Sequence, residues 1–197
     1  MKNYFYILFT FILFINCSEK SSEPQKLSVS ELAQTSEFTE ASPEKKQLFN
    51  EIQAFQKDLQ SKKSENISNN LGCPKRIEEL DLKPKNSVVR NDIESNSFRL
   101  SSTLVTNNYD LVYNELDLNI INDAIKSISE TDLLSKDNVS TTVKVGKCDY
   151  QTDIMMKNKE VDFNIKSITE SEECKKDQKW KFISTDGILV LDHRKML

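Results

Sequence analysis

The stretch VSTTVKVGKCDYQTDIMMKNKEVDFNIKSI, residues 139–168, decides the fold because apolar and polar side chains alternate along it. Three segments, 139–145, 148–156 and 160–168, share this period of two residues, which is typical of β-strands with one buried face. A polar connection near residues 157–159 separates the last two segments, as a tight turn would. The stretch therefore predicts consecutive antiparallel strands. The predicted inward side chains are Val139, Thr141, Val143, Val145, Cys148, Tyr150, Thr152, Ile154, Met156, Val161, Phe163 and Ile165.

The C-terminal residues predict one more hairpin. The runs KWKFIS and ILVLDH, residues 179–184 and 188–193, flank the tripeptide TDG. Asp186 and Gly187 tolerate the positive φ that a tight hairpin turn requires. Four or five strands joined by short polar turns are most simply an antiparallel meander, with one or two helices over its apolar face. The predicted fold class is therefore α+β.

An amphipathic helix is predicted ahead of the strands, in SPEKKQLFNEIQAFQKDLQSKK, residues 42–63. Ser42 is a good N-cap, Pro43 suits the first helical position, and Glu44 complements the positive end of the helix dipole. An apolar stripe of this width either packs on its own domain or forms a groove for a partner, and the core is the favoured interpretation. The stripe consists of Leu48, Phe49, Ile52, Phe55 and Leu59.

The residues between this helix and the meander are interpreted in shorter pieces. A second helical segment runs from 67 to 72. The runs SFRLSSTLV, 97–105, and YDLVY, 109–113, are interpreted as short strands of uncertain register. The run 114–130 predicts a helix behind a possible Asn114 cap. Its shared apolar face would consist of Leu118, Ile121, Ile125 and Ile128.

The N-terminal apolar run, from Tyr4 to Ile15, has the length of a signal-peptide core. It is well short of the roughly 20 apolar residues that a bilayer-spanning helix needs. Lys2 supplies a positive flank, but residues 14–16 do not form the small-residue cleavage site of a simple secretory signal. A removable signal of residues 1–16 is therefore predicted, with a different kind of processing site.

The tetrapeptide FINC, residues 14–17, resembles the lipobox of bacterial lipoproteins in the relaxed form of spirochaetal ones. The common pattern prefers Leu first and Ala or Gly just before the Cys, so Phe14 and Asn16 depart from it. The resemblance implies that Cys17 receives a diacylglyceryl group and holds the protein on a membrane of a bacterial cell envelope. The inner membrane, the outer membrane and the cell surface all stay open. The alternative is a short uncleaved anchor, or a plain signal with an incidental Cys.

The rest of the chain divides into a tether and one domain. Residues 17–41 are rich in Ser, Glu and Thr and show no sustained period, which is typical of a disordered segment. Residues 42–197 have the size of a single domain. The net charge of −4 and the scattered basic residues argue against a nucleic-acid partner.

The order of elements over residues 42–193, ending in the strand WKFI, resembles the nuclear-transport-factor-2-like and cystatin-like α+β folds. The first of these groups often has a cone-shaped pocket between helix and sheet, and many bacterial members only bind or assemble. The resemblance implies a non-enzymatic binding module for an envelope or host protein or a small apolar ligand. The alternative is a hydrolase or isomerase with acid/base residues in that pocket, although no residue here matches such a catalytic set.

The cysteines predict one disulfide. If Cys17 carries lipid outside the cytoplasm, three thiols remain, which allow one bridge. A turn near 157–159 brings the segments that carry Cys148 and Cys174 back together, so these two are the predicted pair, while Cys73 is free or buried.

Neither a metal, a cofactor nor a catalytic set is predicted. There is no C-x-x-C, and the single histidine, His193, is interpreted as an exposed residue near the C-terminus. The three glycines are isolated, so they cannot build a phosphate-binding loop.

Overall fold

The computed structural model describes residues 41–197, and these residues have an α+β fold, as the sequence predicts. The helices are α1 Pro43–Gln60, α2 Ser64–Asn70, α3 Ile77–Leu80, α4 Ser87–Ser95, α5 Ser102–Asn107, α6 Tyr109–Glu115, α7 Leu118–Ser127 and α8 Glu130–Ser135, with one 3-10 turn at Glu172–Cys174. The strands are β1 Lys75–Arg76, β2 Arg99–Leu100, β3 Asn138–Val145, β4 Cys148–Lys157, β5 Glu160–Ser167, β6 Gln178–Thr185 and β7 Ile188–Met196.

Strands β3 to β7 form a five-stranded antiparallel sheet in sequence order, which confirms the predicted meander. The β6–β7 turn consists of Asp186 and Gly187, whose φ angles are 51° and 82°. The β4–β5 turn consists of Asn158 and Lys159, whose φ angles are 52° and 62°. Two-residue turns with positive φ match the twist of a hairpin, so they fix the register of the strands.

One face of the sheet is buried against helices, and the alternation in the sequence identifies it. All predicted inward side chains of β4 and β5 are buried, while Thr141 and Val145 on β3 are only half-buried. The opposite face is polar and carries cross-strand ion pairs, such as Lys179 with Asp162 at 3.2 Å. The core therefore lies on the helical side of the sheet.

Helix α1 begins and packs as the sequence predicts. The Ser42 hydroxyl accepts a hydrogen bond from the Lys45 backbone N–H at 3.2 Å, and Pro43 occupies the first turn. Every residue of the predicted apolar stripe is buried. The Phe55 ring packs 5.2 Å from the Phe182 ring, measured between centroids, so the stripe is core and not a partner groove.

The predicted strands at 97–105 and 109–113 are wrong. Residues 102–105 lie in α5 and residues 109–113 lie in α6, and only the two residues of β2 are strand. The Ser101 hydroxyl accepts from the Leu104 backbone N–H at 3.0 Å and so starts α5. The buried side chains of α5 and α6 fit a helical face once α5 packs on α2, so tertiary packing overrides their β propensity.

The predicted helix at 114–130 exists but is shorter. Helix α7 begins after Asp117, and Asn114 belongs to the preceding helix α6 and caps nothing. Its predicted apolar residues are buried, apart from Ile128, which follows the helix and is half-buried. The described residues thus contain more helices than the three helical segments predicted, because short helices α3 to α6 and α8 fill much of the interval between α2 and the sheet.

The chain enters the domain at one end of the sheet, called the near end here. Lys45 on the first turn of α1 donates to the Lys136 carbonyl at 2.7 Å and to the Asp137 carboxylate at 3.0 Å, just before β3 begins. The opposite end, called the far end, is where β4 and β6 begin and β7 ends, since Gln178 pairs with Met196.

Candidate functional site

A cleft of about 790 Å³ lies at the far end of the sheet. Four segments form its walls: residues 81–86 between α3 and α4, 111–117 from α6 to the start of α7, 172–176 around the 3-10 turn, and 194–197 at the end of β7. Segments far apart in the sequence therefore meet at one opening.

The Arg194 guanidinium forms the floor of the cleft. Its side chain is only 3 % exposed and lies over the Trp180 ring, with the guanidinium carbon 5.2 Å from the ring centroid. Nε donates to the Gln178 side-chain oxygen at 2.8 Å, and Nη1 donates to the Leu80 carbonyl at 3.2 Å. Burial lowers the pKa of Arg194, an effect that Asp117 and Asp81 oppose. An arginine still remains charged at neutral pH, so the floor is a fixed cation.

One nitrogen of this guanidinium, Nη2, forms no hydrogen bond within the described residues. Nη2 of Arg194 lies 3.8 Å from the Asp117 carboxylate, which is an ion-pair contact but too long for a hydrogen bond. Nη2 makes no hydrogen bond within residues 41–197, and the Arg194 side chain as a whole is 3 % exposed. Because Arg194 lines the cleft, we place Nη2 at the cleft.

Two aspartates beside Arg194 adopt left-handed backbone conformations. The φ angles of Asp81 and Asp117 are 43° and 53°, in a region that few residues other than glycine adopt. Asp81 accepts a hydrogen bond from the Met196 backbone N–H at 2.9 Å, and Asp117 forms a second ion pair with Lys176. The aspartates therefore tie the helical connections to β7 and to the 172–176 segment.

The other carboxylates of the cleft also hold its walls. Glu115 accepts from the Lys85 backbone N–H at 3.1 Å and from the Asn86 backbone N–H at 2.5 Å, just ahead of α4. Glu172 pairs with Lys175, and Glu173 on the same turn pairs with a lysine outside the cleft. Every carboxylate that lines the cleft is thus already bonded to a backbone N–H or a cation.

The disulfide covalently joins one wall of the cleft to the sheet. Cys148, the first residue of β4, is bonded to Cys174 in the 3-10 turn, as the sequence predicts. The residues that follow, Lys175 and Lys176, line the cleft. The bridge therefore fixes a loop that few regular backbone hydrogen bonds hold.

Cys73 and His193 lie outside the cleft. Cys73 is a free, half-buried thiol, and burial raises its pKa to about 11, so it is a poor nucleophile at neutral pH. His193 is half-exposed, and its Nδ1 lies 2.9 Å from the Asp192 carboxylate.

A second cavity, of about 150 Å³, lies between α1, α2 and the β6–β7 turn. Glu51 lines it and is 5 % exposed; one carboxylate oxygen accepts from Gln47 at 2.8 Å and Ser184 at 2.9 Å, and the other has no hydrogen-bond partner in residues 41–197. Asp58, the other carboxylate there, accepts from the Asn66 amide at 2.9 Å. The two carboxylates lie seven residues apart on α1, about 10 Å along the helix axis.

The predicted lipidation site, Cys17, and the predicted signal of residues 1–16 lie outside the residues that the structure describes, as does nearly all of the predicted tether. Within residues 41–197, no helix is long and apolar enough to cross a membrane. The same residues contain no group of three or more His, Cys, Asp or Glu side chains arranged to hold a metal ion.

No protein-family model matches the chain, and neither a curated protein nor a solved structure shows significant similarity to it. The resemblances of FINC to a lipobox and of the element order to the nuclear-transport-factor-2-like and cystatin-like folds therefore stay predictions.

Proposed function

We propose that the protein is a lipid-anchored lipoprotein of a bacterial cell envelope whose domain binds a ligand in the far-end cleft and catalyses no reaction. The observation that carries the binding role is the cleft itself, which the buried Arg194 lines. Its volume of about 790 Å³ falls within the range of small-molecule sites, about 300 to 1,000 Å³.

The carboxylates of the cleft favour binding over catalysis. A general acid or base must exchange a proton with the substrate, so its carboxylate has to face the reacting group. In this cleft Asp81, Glu115 and Asp117 instead accept hydrogen bonds or ion pairs from the walls. They therefore support a preformed shape.

The position of the cleft agrees with attachment through the N-terminus. The chain enters the domain at the near end of the sheet, beside Asp137, while the cleft opens at the far end. A tether that begins at Cys17 would thus join the domain at the end away from the opening, which leaves the cleft accessible.

Labelling with radioactive palmitate tests the anchor. Cells that produce the wild-type chain are expected to yield a labelled protein in the membrane fraction, and Cys17→Ala is expected to abolish both properties. Cys73→Ala is the matched control and should keep them, because Cys73 lies inside the domain. A Cys17→Ala protein that still takes up label would refute lipidation at this residue.

A thermal-shift screen of anionic, neutral and cationic metabolites tests the binding role of the cleft. A ligand at 100 times its dissociation constant is expected to raise the melting temperature by about 5 °C or more. Asn114→Trp should abolish the shift, because the exposed Asn114 lines the cleft and a bulky ring there fills it. Thr142→Trp, on the open face of the sheet, is the control and should leave the shift intact.

The alternative function, acid/base catalysis, has one supporting observation, the buried Glu51 carboxylate in the smaller cavity. Turnover of a substrate from a hydrolase and isomerase panel, abolished by Glu51→Gln in a protein that still folds, would contradict the binding proposal. The binding proposal would also be contradicted if no compound in the thermal-shift screen raised the melting temperature in a way that Asn114→Trp abolishes.

A further inference from the structure

We infer that the ligand of the far-end cleft is a small oxyanion, a carboxylate or a phosphate monoester, that carries a short apolar part. This inference rests on the proposed function, since it names the chemistry that the same cleft would recognise.

The hydrogen-bonding capacity of the floor points to an oxyanion. A guanidinium has five N–H donors in a planar fork. The fold uses one on Nε and one on Nη1 of Arg194, for Gln178 and Leu80. The two on Nη2 have no hydrogen-bond partner in residues 41–197, and this is the group that we place at the cleft. Paired oxygens of a carboxylate or phosphate match such a fork.

The charged groups of the rim that have no partner are cationic. Equal numbers of acidic and basic side chains line the cleft, so its formal charge does not select a ligand. Each of the five lining carboxylates, however, already has a cation or a backbone N–H of the protein as a partner. Lys83 and Lys85 are exposed lining residues, and neither forms an ion pair within the described part of the chain. The lining side chains that lack a partner of opposite charge are therefore cationic donors.

Apolar side chains lie in the same cleft. Leu82 lines it from the connection after α3, Leu111 lines it from α6, and Met196 lines it from the end of β7. Leu111 is half-buried against the core, so its remaining surface is available to a ligand. A short hydrocarbon group attached to the oxyanion would contact these side chains and gain from their burial.

Tryptophan fluorescence tests the inference directly, because Trp180 is the only tryptophan of the chain and lies under Arg194. The full chain, reconstituted in phosphatidylcholine vesicles, is titrated with hexanoate, hexyl phosphate, hexan-1-ol and hexyltrimethylammonium. A saturable change is expected with hexanoate, with hexyl phosphate or with both, and the two arms distinguish a carboxylate from a phosphate ligand. No saturable change is expected with the alcohol or the ammonium compound.

Two variants test the residues. Arg194→Lys keeps the charge but loses the planar fork, and affinity is expected to fall about tenfold or more. The double variant Lys83→Gln, Lys85→Gln alters exposed side chains that can change without unfolding the protein, and affinity is expected to fall about three- to tenfold. The control Lys144→Gln, Lys166→Gln removes two exposed lysines on the sheet outside the cleft and should leave affinity unchanged.

The inference is overturned by a saturable response to hexan-1-ol or to hexyltrimethylammonium equal to that of the anions, or by no response to any probe. Unchanged affinity in the Lys83, Lys85 variant overturns it even if Arg194→Lys does not fold. If the thermal-shift screen yields a neutral or cationic ligand that Asn114→Trp excludes, the binding role stands and only the oxyanion chemistry fails. If that screen yields nothing, both fail.

Discussion

Replacing Phe55 by Ala is expected to lower the free energy of unfolding by about 3 to 5 kcal/mol. Phe55 is 1 % exposed, it belongs to the buried stripe of α1, and its ring contacts that of Phe182 on β6. Removing the ring leaves a cavity between α1 and the sheet that rigid neighbours fill only in part. Such a loss is a large fraction of the total stability of an ordinary domain, about 5 to 15 kcal/mol. Urea unfolding of a soluble form without residues 1–17, followed by circular dichroism, measures it.

The matched control is Phe98→Ala. Phe98 is 59 % exposed in the connection between α4 and β2, so the same substitution there should change the free energy of unfolding by no more than about 0.5 kcal/mol. Equal effects of the two substitutions would mean that α1 does not pack on the sheet as described.

Removing the disulfide is expected to cost about 3.5 kcal/mol. The bridge closes a loop with a sequence separation of 26 residues between Cys148 and Cys174, and the chain-entropy relation assigns this cost to such a loop. The double variant Cys148→Ser, Cys174→Ser should therefore unfold at lower urea concentration. Its ligand affinity should also fall, because Lys175 and Lys176 directly follow the bridge and line the cleft.

Cys73→Ser is the control, since this cysteine is unbridged, and a change of less than about 1 kcal/mol is expected. Mass mapping of the non-reduced protein provides a second check. A peptide that joins Cys73 to either other cysteine of the domain would contradict the pairing of β4 with β5.

The sheet was predictable because its residues obey one local rule. Alternation along residues 139–168 identifies the inward face of the sheet, and the Asp186-Gly187 turn determines the last hairpin. Both signals are local, so they do not depend on residues elsewhere in the chain. Helix α1 was predictable for the same reason, since its cap and its stripe are both local.

Helices α5 and α6, between residues 102 and 115, were not predictable, because their conformation depends on distant residues. Their β-branched and aromatic side chains favour strands, but α5 packs on α2 and the Tyr109 hydroxyl donates to the Leu59 carbonyl of α1 at 3.0 Å. Contacts across about 50 residues of sequence decide the structure there, and a local pattern contains no information about them.

The burial of Arg194 at the floor of the cleft was also not predictable from a local pattern. Regular alternation along β7 would place His193 inside, two residues after the buried Leu191. A bulge opposite Lys181 and Phe182 adds one residue to β7, so Arg194 is buried and His193 is half-exposed. A bulge has no reliable sequence signal. The sequence alone therefore could not show that Arg194 is buried beside the cleft.

The location of the cleft beside the last residues of β7 decides how the protein should be handled. Met196 and Leu197 are themselves part of its wall. An affinity tag or fluorescent protein fused after Leu197 would start inside the opening and compete with any ligand for it. Immobilisation through the N-terminal segment, which joins the domain beside Asp137, would instead present the opening to the solution. Ligand screens on a sensor surface should therefore use that orientation.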